Sequence, residues 1–283
     1  MRPTPRHRAA PHRDVPHRTA RHLVAPRRAA LALALLPALL IGPLTGPAAP
    51  APHAGTRPLP ARLADTGGAR QLLIATAPDA RSTHGTLTWW ERRADGEWRA
   101  RGRAAARFGA GGLVEGTRRE QGTNTTPTGL FGLPFAFGTE AAPTGTRLPY
   151  RPVTPRSWWC EDNASRAYNR WSEPRAADCR AEESERLADY PVQYAHAFVT
   201  DFNYAHPVRG RGAGIFLHVN GKGATAGCVS VPAATMRELL RWVRPGARLA
   251  VGTEGPEAEG TGTEGTVAAG REAADRGTAV TRY

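Results

Sequence analysis

Residues 215–232 read IFLHVNGKGATAGCVSVP. The apolar run at the start of this stretch predicts a buried strand, and the glycines that follow predict a loop. His218 lies near the end of the predicted strand, and Cys228 follows it by ten residues. A thiol and an imidazole are the components of a cysteine nucleophile with its general base. The stretch can therefore hold a catalytic pair, or a strand and a loop that happen to contain both residue types.

The residues after this stretch predict the clearest helix of the chain. In PAATMRELLRWVRPG the apolar residues recur at helical spacing, at Met236, Leu239, Leu240 and Val243. Pro232 suits the first turn of a helix, and Gly246 suits its C-terminal cap. With ARLAVG as the next strand, the region forms a strand–loop–helix–strand unit in which Cys228 lies just before the helix.

The rest of the sequence predicts short strands. The turn dipeptide Asp95-Gly96 separates two apolar and aromatic runs, which indicates a β-hairpin. Further short runs, each bounded by glycine, proline or asparagine, are QLLIATA, PFAFG, YAHAFVTDF, GIFLHV and ARLAVG. Many short strands and one clear helix predict a mainly β domain.

The two ends of the chain differ in composition from its centre. Residues 29–41, AALALALLPALLI, follow Arg27 and Arg28, and small residues and prolines come after them. This plan predicts a signal peptide with an unusually long basic leader in residues 1–54, with a single membrane anchor as the alternative. Residues 55–67 are predicted to be a linker, residues 68–252 the folded domain and residues 253–283 a disordered tail.

Charge gives little information about partners. Residues 1–54 contain eight arginines and one aspartate, more than half of the formal net charge of +13. Lys222 is the one lysine among 38 lysine and arginine residues. This bias toward arginine indicates the overall composition of the protein rather than a surface that binds a partner. We therefore predict no nucleic-acid partner. The sequence contains neither a nucleotide-binding glycine loop nor paired metal-ligand motifs, so we also expect no cofactor and no metal.

The three cysteines divide into a pair and a single residue. In an exported chain cysteines tend to be oxidised in pairs. Cys160 and Cys179 lie 19 positions apart in a polar, turn-rich segment, and we predict a disulfide between them. Such a link stabilises by about 3 kcal/mol in the chain-entropy model.

Cys228, the remaining cysteine, has the surroundings of a reactive thiol. A helix start lowers the pKa of a cysteine, and a nearby imidazole accepts its proton. The N–H groups of Gly227 and Cys228 are candidates for holding an oxyanion. The alternatives are a buried structural thiol or a disulfide partner for Cys228, and a core or surface residue for His218.

The residues LHVNGKGATAGCVSVP resemble the active-site signature of the YkuD-type L,D-transpeptidases, in which a histidine precedes a Ser/Thr-x-Gly-Cys motif. A second segment, TPTGLF at residues 126–131, resembles the T-P-x-G-x-F stretch of the same family. The resemblance covers residues 70–252 and implies a β-sandwich or barrel-like domain. The chain departs from the family at Ala226, where most members have histidine, and at Ser230, where most have arginine or asparagine.

The resemblance implies roles for particular residues. Cys228 is the expected nucleophile and His218 the general base, with Gly227 in the oxyanion hole and Thr225 orienting the histidine. Ser230 and Asn220 are expected to contact substrate. His196 and His206 are further candidates to assist. The segment at residues 158–188 is expected to be an insertion that acts as a lid.

The implied activity is that of an exported peptidoglycan enzyme. The family attacks a stem peptide after its third residue, holds it as a thioester on the cysteine, and transfers it to an amine of a neighbouring stem as a 3→3 cross-link. We expect a secreted or wall-associated monomer that carbapenems acylate. Two alternatives remain open: an L,D-carboxypeptidase in which water resolves the thioester, and a non-catalytic wall-binding module.

Overall fold

The structure is a computed structural model, and it describes residues 59–63 and 65–254. The predicted signal peptide (residues 1–54) and all but the first two residues of the predicted tail (residues 253–283) lie outside the described residues. Within the predicted linker, Leu59–Arg62 forms a single helical turn, α1. None of the helices in the described ranges is both long and apolar enough to span a bilayer.

Strands dominate the described part of the chain. In chain order they are β1 (Gln71–Ala77), β2 (His84–Arg92), β3 (Trp98–Arg107), β4 (Leu113–Glu115), β5 (Thr126–Gly132), β6 (Ala136–Gly138), β7 (Tyr150–Pro152), β8 (Trp158–Cys160), β9 (Arg170–Ser172), β10 (Ser184–Arg186), β11 (Ala197–Val199), β12 (Phe216–Val219), β13 (Val229–Val231) and β14 (Arg248–Thr253). The helix α2 covers Ala233–Trp242, and single 3-10 turns cover Gly116–Arg118, Ala181–Glu183, Leu187–Asp189 and Gln193–Ala195.

Eleven strands form one mixed sheet in the order β4-β5-β14-β1-β2-β3-β13-β12-β11-β6-β7. The remaining three form a small sheet, β10-β8-β9, inside residues 158–188, the segment predicted to be an insertion; the label insertion is used for these residues below. The prediction of a mainly β domain with one clear helix is confirmed. The β2–β3 hairpin is also confirmed, and Gly96 closes its turn through an N–H bond to the Arg93 carbonyl at 3.1 Å.

The predicted strand–loop–helix–strand unit is wrong in two details. A further strand, β13, lies between Cys228 and α2, and it pairs in parallel with β12. The helix ends at Trp242 rather than at Gly246. Gly246, with φ +89°, lies instead in the turn in which the Ala247 N–H donates to the Arg244 carbonyl. The short run VSV escaped notice because three residues are too few to show a period.

Alternate side chains of β12 and β13 face two different apolar clusters. Leu217, Val219, Val229 and Val231 belong to the larger core, which also contains the buried face of α2. Phe216 and Cys228 belong to a second cluster with aromatic residues of the insertion. Because side chains alternate along a strand, His218 and Ser230 share the face of Cys228. The insertion therefore packs against the face of the large sheet that carries the candidate site.

Candidate active site

Cys228 is the free thiol of the described chain, and its side chain is 8% exposed. The Phe216 N–H donates to its Sγ at 3.3 Å, and the Sγ donates to the Gly214 carbonyl at 3.3 Å. The expectation that a helix start lowers its pKa is wrong, because β13 separates Cys228 from α2. Burial, and after it the charge of Glu185, raises the pKa of Cys228, so the resting group is a neutral thiol.

His218 is placed as a neutral base on the neighbouring strand. It pairs with Ser230 in the β12–β13 register, two positions along from Cys228. Strand spacing and rise put such diagonal Cα atoms about 8 Å apart. The Nδ1 of His218 lies 2.7 Å from the Val219 carbonyl, which can only accept, so Nδ1 carries the proton and the Nε2 lone pair is free. Burial lowers the pKa of His218 to about 4, which keeps the ring unprotonated at neutral pH.

The two sequence motifs meet at the backbone of the cysteine. The hydroxyl of Thr225 donates to the Cys228 carbonyl at 2.6 Å, and that of Thr126 does so at 3.4 Å. Thr225 therefore fixes the turn before Cys228 and makes no hydrogen bond to His218, contrary to the role expected for it. Its hydroxyl oxygen also accepts the Gly227 N–H at 3.1 Å. Gly227 is therefore not a free oxyanion donor here, whereas the Cys228 N–H makes no hydrogen bond within the described residues.

Glycine is required at position 227 for a different reason. Its φ is +136°, a conformation that side chains disfavour. A Cβ at this position would lie 2.8 Å from Nη2 of Arg119 and 2.9 Å from the Thr125 carbonyl oxygen. The absent side chain thus lets a guanidinium approach the residue before the nucleophile.

The expected substrate contact of Ser230 is wrong. Ser230 is fully buried, and its hydroxyl donates to the Asn220 side-chain oxygen at 2.8 Å. In this arrangement the Ser230 hydroxyl faces a protein partner rather than solvent. Asn220 is partly exposed, so its side-chain amide remains able to face one.

One comparison with known proteins is informative. The family model of the YkuD L,D-transpeptidase catalytic domain matches residues 80–251, more than half of the chain. The chain belongs to the YkuD family. No curated protein and no solved structure matches it. The recognition made from the two motifs is confirmed, and the YkuD family acts on peptidoglycan stem peptides.

A buried arginine of this YkuD domain was missed by sequence reasoning. Arg119 is 5% exposed; its Nε donates to the Thr125 carbonyl at 2.8 Å and its Nη1 to the Arg211 carbonyl at 3.0 Å. Its charge acts on both Cys228 and Glu161. The neighbouring Arg118 is an exposed arginine, so no local signal distinguishes the two in the sequence.

The YkuD domain also holds two carboxylic acids beside the thiol that the sequence did not single out. Glu161 and Glu185 come from the insertion, and the charge of each raises the pKa of Cys228. The predicted disulfide joins Cys160 to Cys179, with 6.2 Å between their Cα atoms, directly before Glu161. Asn169 links the insertion to the segment that leads into β12, because its side-chain oxygen accepts both the Trp159 indole N–H and the Gly214 N–H.

The other candidate histidines lie elsewhere. His196 is 2% exposed and contacts the Ala141 carbonyl through Nε2 at 3.1 Å. His206 is exposed. Neither hydrogen-bonds to Cys228 or His218. Among the described residues, no three His, Cys, Asp or Glu side chains are grouped closely enough to hold a metal ion.

Proposed function

We propose that the protein is an exported L,D-transpeptidase that cross-links peptidoglycan stem peptides through a thioester on Cys228. The supporting observation is that the free thiol lies on one sheet face with a neutral imidazole, at the point where hydroxyls of both family motifs bind the Cys228 carbonyl. The apolar segment at residues 29–41 supports export, and secretion or attachment to the wall follows from it.

Acylation begins from a neutral pair. The Cys228 sulfur attacks the carbonyl carbon after the third stem residue, while its proton passes to Nε2 of His218. The C–N bond then breaks, and the imidazolium returns the proton to the departing amine of the terminal residue. Because the thiol starts beside the Gly214 carbonyl, it must turn toward His218 when substrate binds. The buried and neutral resting state keeps the thiol inert until that step.

The negative charge that develops on the reacting carbonyl oxygen must be stabilised by hydrogen-bond donors or by positive charge. The N–H of Cys228 supplies one, and Arg119 supplies positive charge from the side of Gly227. Burial lowers the pKa of Arg119, yet a guanidinium remains charged at any pH the domain survives. We therefore assign to Arg119 the anion stabilisation that a resting Gly227 N–H cannot provide.

The test is the intact mass of the protein after incubation with a carbapenem. We expect the wild type to gain one carbapenem mass and the Cys228→Ala variant to gain none, because the sulfur forms the bond. Thermal unfolding of both proteins provides the control, since the substitution removes a buried atom without adding a charge.

Stem peptides then identify the acceptor. A donor tetrapeptide incubated with an acceptor stem should yield a dimer, whereas tripeptide alone would identify an L,D-carboxypeptidase. A wild type that gains no mass and processes no stem would contradict the proposal and favour a wall-binding module.

A further inference from the structure

Glu161 and Glu185 border Cys228 but take no part in forming the thioester. Glu161 follows Cys160 at the end of β8, and Glu185 is the middle residue of β10. Both residues are only partly exposed to solvent. Protein nonetheless surrounds them closely, and burial raises the pKa of both, that of Glu161 to about 8. The region that these two side chains share with Cys228 is called the recess below.

Glu161 reaches the nucleophile because position 214 has no side chain. Gly214 has φ +64°, and a Cβ there would lie 2.3 Å from Oε1 of Glu161. The carbonyl of the same glycine accepts the hydrogen bond from the Cys228 Sγ. The Glu161 carboxyl group and the sulfur thus lie on either side of one backbone residue, and a nucleophile that attacks an acyl group on that sulfur comes within reach of the carboxyl group.

Glu185 is tied to the base through one tyrosine. Its Oε2 accepts the Tyr194 hydroxyl at 2.7 Å. The Tyr194 ring meets the His218 ring edge to face, with 5.7 Å between their centroids. Glu185 is therefore held in a fixed position relative to the imidazole by Tyr194.

The balance of charge in this recess favours a cation. In the described part of the chain, Arg119 is the one cation whose charge acts on Glu161, against the two carboxyl groups of Glu183 and Glu185. Above about pH 8, where Glu161 is ionised, its carboxylate adds a negative charge next to the acylated sulfur, which carries none. An ammonium group restores the balance, whereas water does not.

We propose that Glu161 is the base that takes a proton from the ammonium group of the acceptor. This role rests on the thioester at Cys228 proposed above. It assigns the base that activates the acceptor to the insertion and the base that activates the thiol to the large sheet.

The step balances as follows. The acceptor enters as R–NH3⁺ and gives one proton to the Glu161 carboxylate, which leaves R–NH2. The amine nitrogen attacks the thioester carbonyl carbon, a C–N bond forms and the C–S bond breaks. The second nitrogen proton passes through His218 to the departing sulfur, which restores the thiol. Glu161 then releases its proton to solvent.

The proposal has a pH signature, because the carboxylate form of Glu161 is needed. Burial raises its pKa to about 8, Glu185 and Glu183 add to this and Arg119 opposes it. The tyrosines that Glu161 faces, Tyr168, Tyr190 and Tyr194, have raised pKa values, as has Cys228, so these groups stay protonated between pH 6 and 9. The ratio of transfer to hydrolysis should therefore rise as the pH increases through about 8.

The experiment measures two quantities on the full chain with its disulfide intact. One is the rate of acylation by a carbapenem, and the other is the ratio of dimer to tripeptide from a donor tetrapeptide and an amine-bearing acceptor stem. For Glu161→Gln we expect acylation within about twofold of wild type and a ratio reduced at least about tenfold, the low end for loss of a general base. In the variant the ratio should follow only the free-amine fraction of the acceptor, without the inflection near pH 8. Glu182→Gln, the same change at an exposed residue of the insertion, is the matched control.

A second acceptor separates proton removal from simple binding. Hydroxylamine is uncharged at neutral pH and needs no base to become a nucleophile, so Glu161→Gln should still transfer the stem to it. Acylation without any change in the ratio, or a wild type that gives tripeptide alone, would overturn the role of Glu161 and leave the thioester intact. Absence of acylation in the wild type would instead overturn the proposed function, and this inference with it.

Discussion

The large sheet and the inserted small sheet hold their site residues in different ways. Backbone pairing places Cys228 and His218, because β12 and β13 are fixed in register and their other faces are buried in the core. In the insertion, a disulfide and the side chain of Asn169 place Glu161. The first arrangement tolerates little variation, whereas the second depends on a few replaceable contacts. Acylation and acceptor choice should therefore respond separately to mutation.

The largest effect is expected in the large sheet. His218→Gln removes the proton acceptor and should slow carbapenem acylation by about 10²- to 10⁴-fold, the usual contribution of a general base. Rates from intact mass over time measure this. His206→Gln changes an exposed histidine in the same way and should leave the rate unaltered. Equal rates in wild type and His218→Gln would remove His218 from the mechanism.

A smaller effect is expected at Arg119, whose charge acts on Cys228 in the large sheet and on Glu161 in the insertion. Arg119→Gln should slow acylation by about 10²-fold, comparable with the loss of one oxyanion donor. Arg118→Gln, an exposed neighbour paired with Glu115, is the matched control. Arg119→Lys keeps the charge and should recover part of the rate. If Lys and Gln variants behave alike, the guanidinium acts through its hydrogen bonds to Thr125 and Arg211 rather than through its charge.

The smallest effect on acylation is expected from the disulfide. Replacing both Cys160 and Cys179 by serine should lower the free energy of unfolding by about 3 kcal/mol, as for any link closing a loop of this length. Acylation of Cys228 should persist, because the strands that hold it belong to the large sheet. The dimer-to-tripeptide ratio should fall, because Glu161 directly follows Cys160. Loss of acylation together with transfer would show that the two regions do not act separately.

The sequence was informative where a residue's role depends on its own neighbours. Cys228, His218 and the TPTGLF segment were recognised because each belongs to a short motif, and the Cys160–Cys179 pairing followed from the count of cysteines. Arg119 and Glu161 were missed because their significance arises from contacts across the fold, with Gly227 and Gly214. Ser230 was misjudged for the same reason, since its burial against Asn220 is a property of packing.

The position of β14 determines when the large sheet can form during synthesis and folding of the chain. Among the described strands, β14 is the last in sequence; it lies inside the large sheet, between β1 and β5, and pairs with strands formed from residues more than 100 positions earlier. Contacts so distant in sequence make folding slow. The sheet cannot close until residue 253 has been synthesised and released. A chain cut short before β14 would therefore carry the complete cysteine motif and still lack the scaffold that makes it useful.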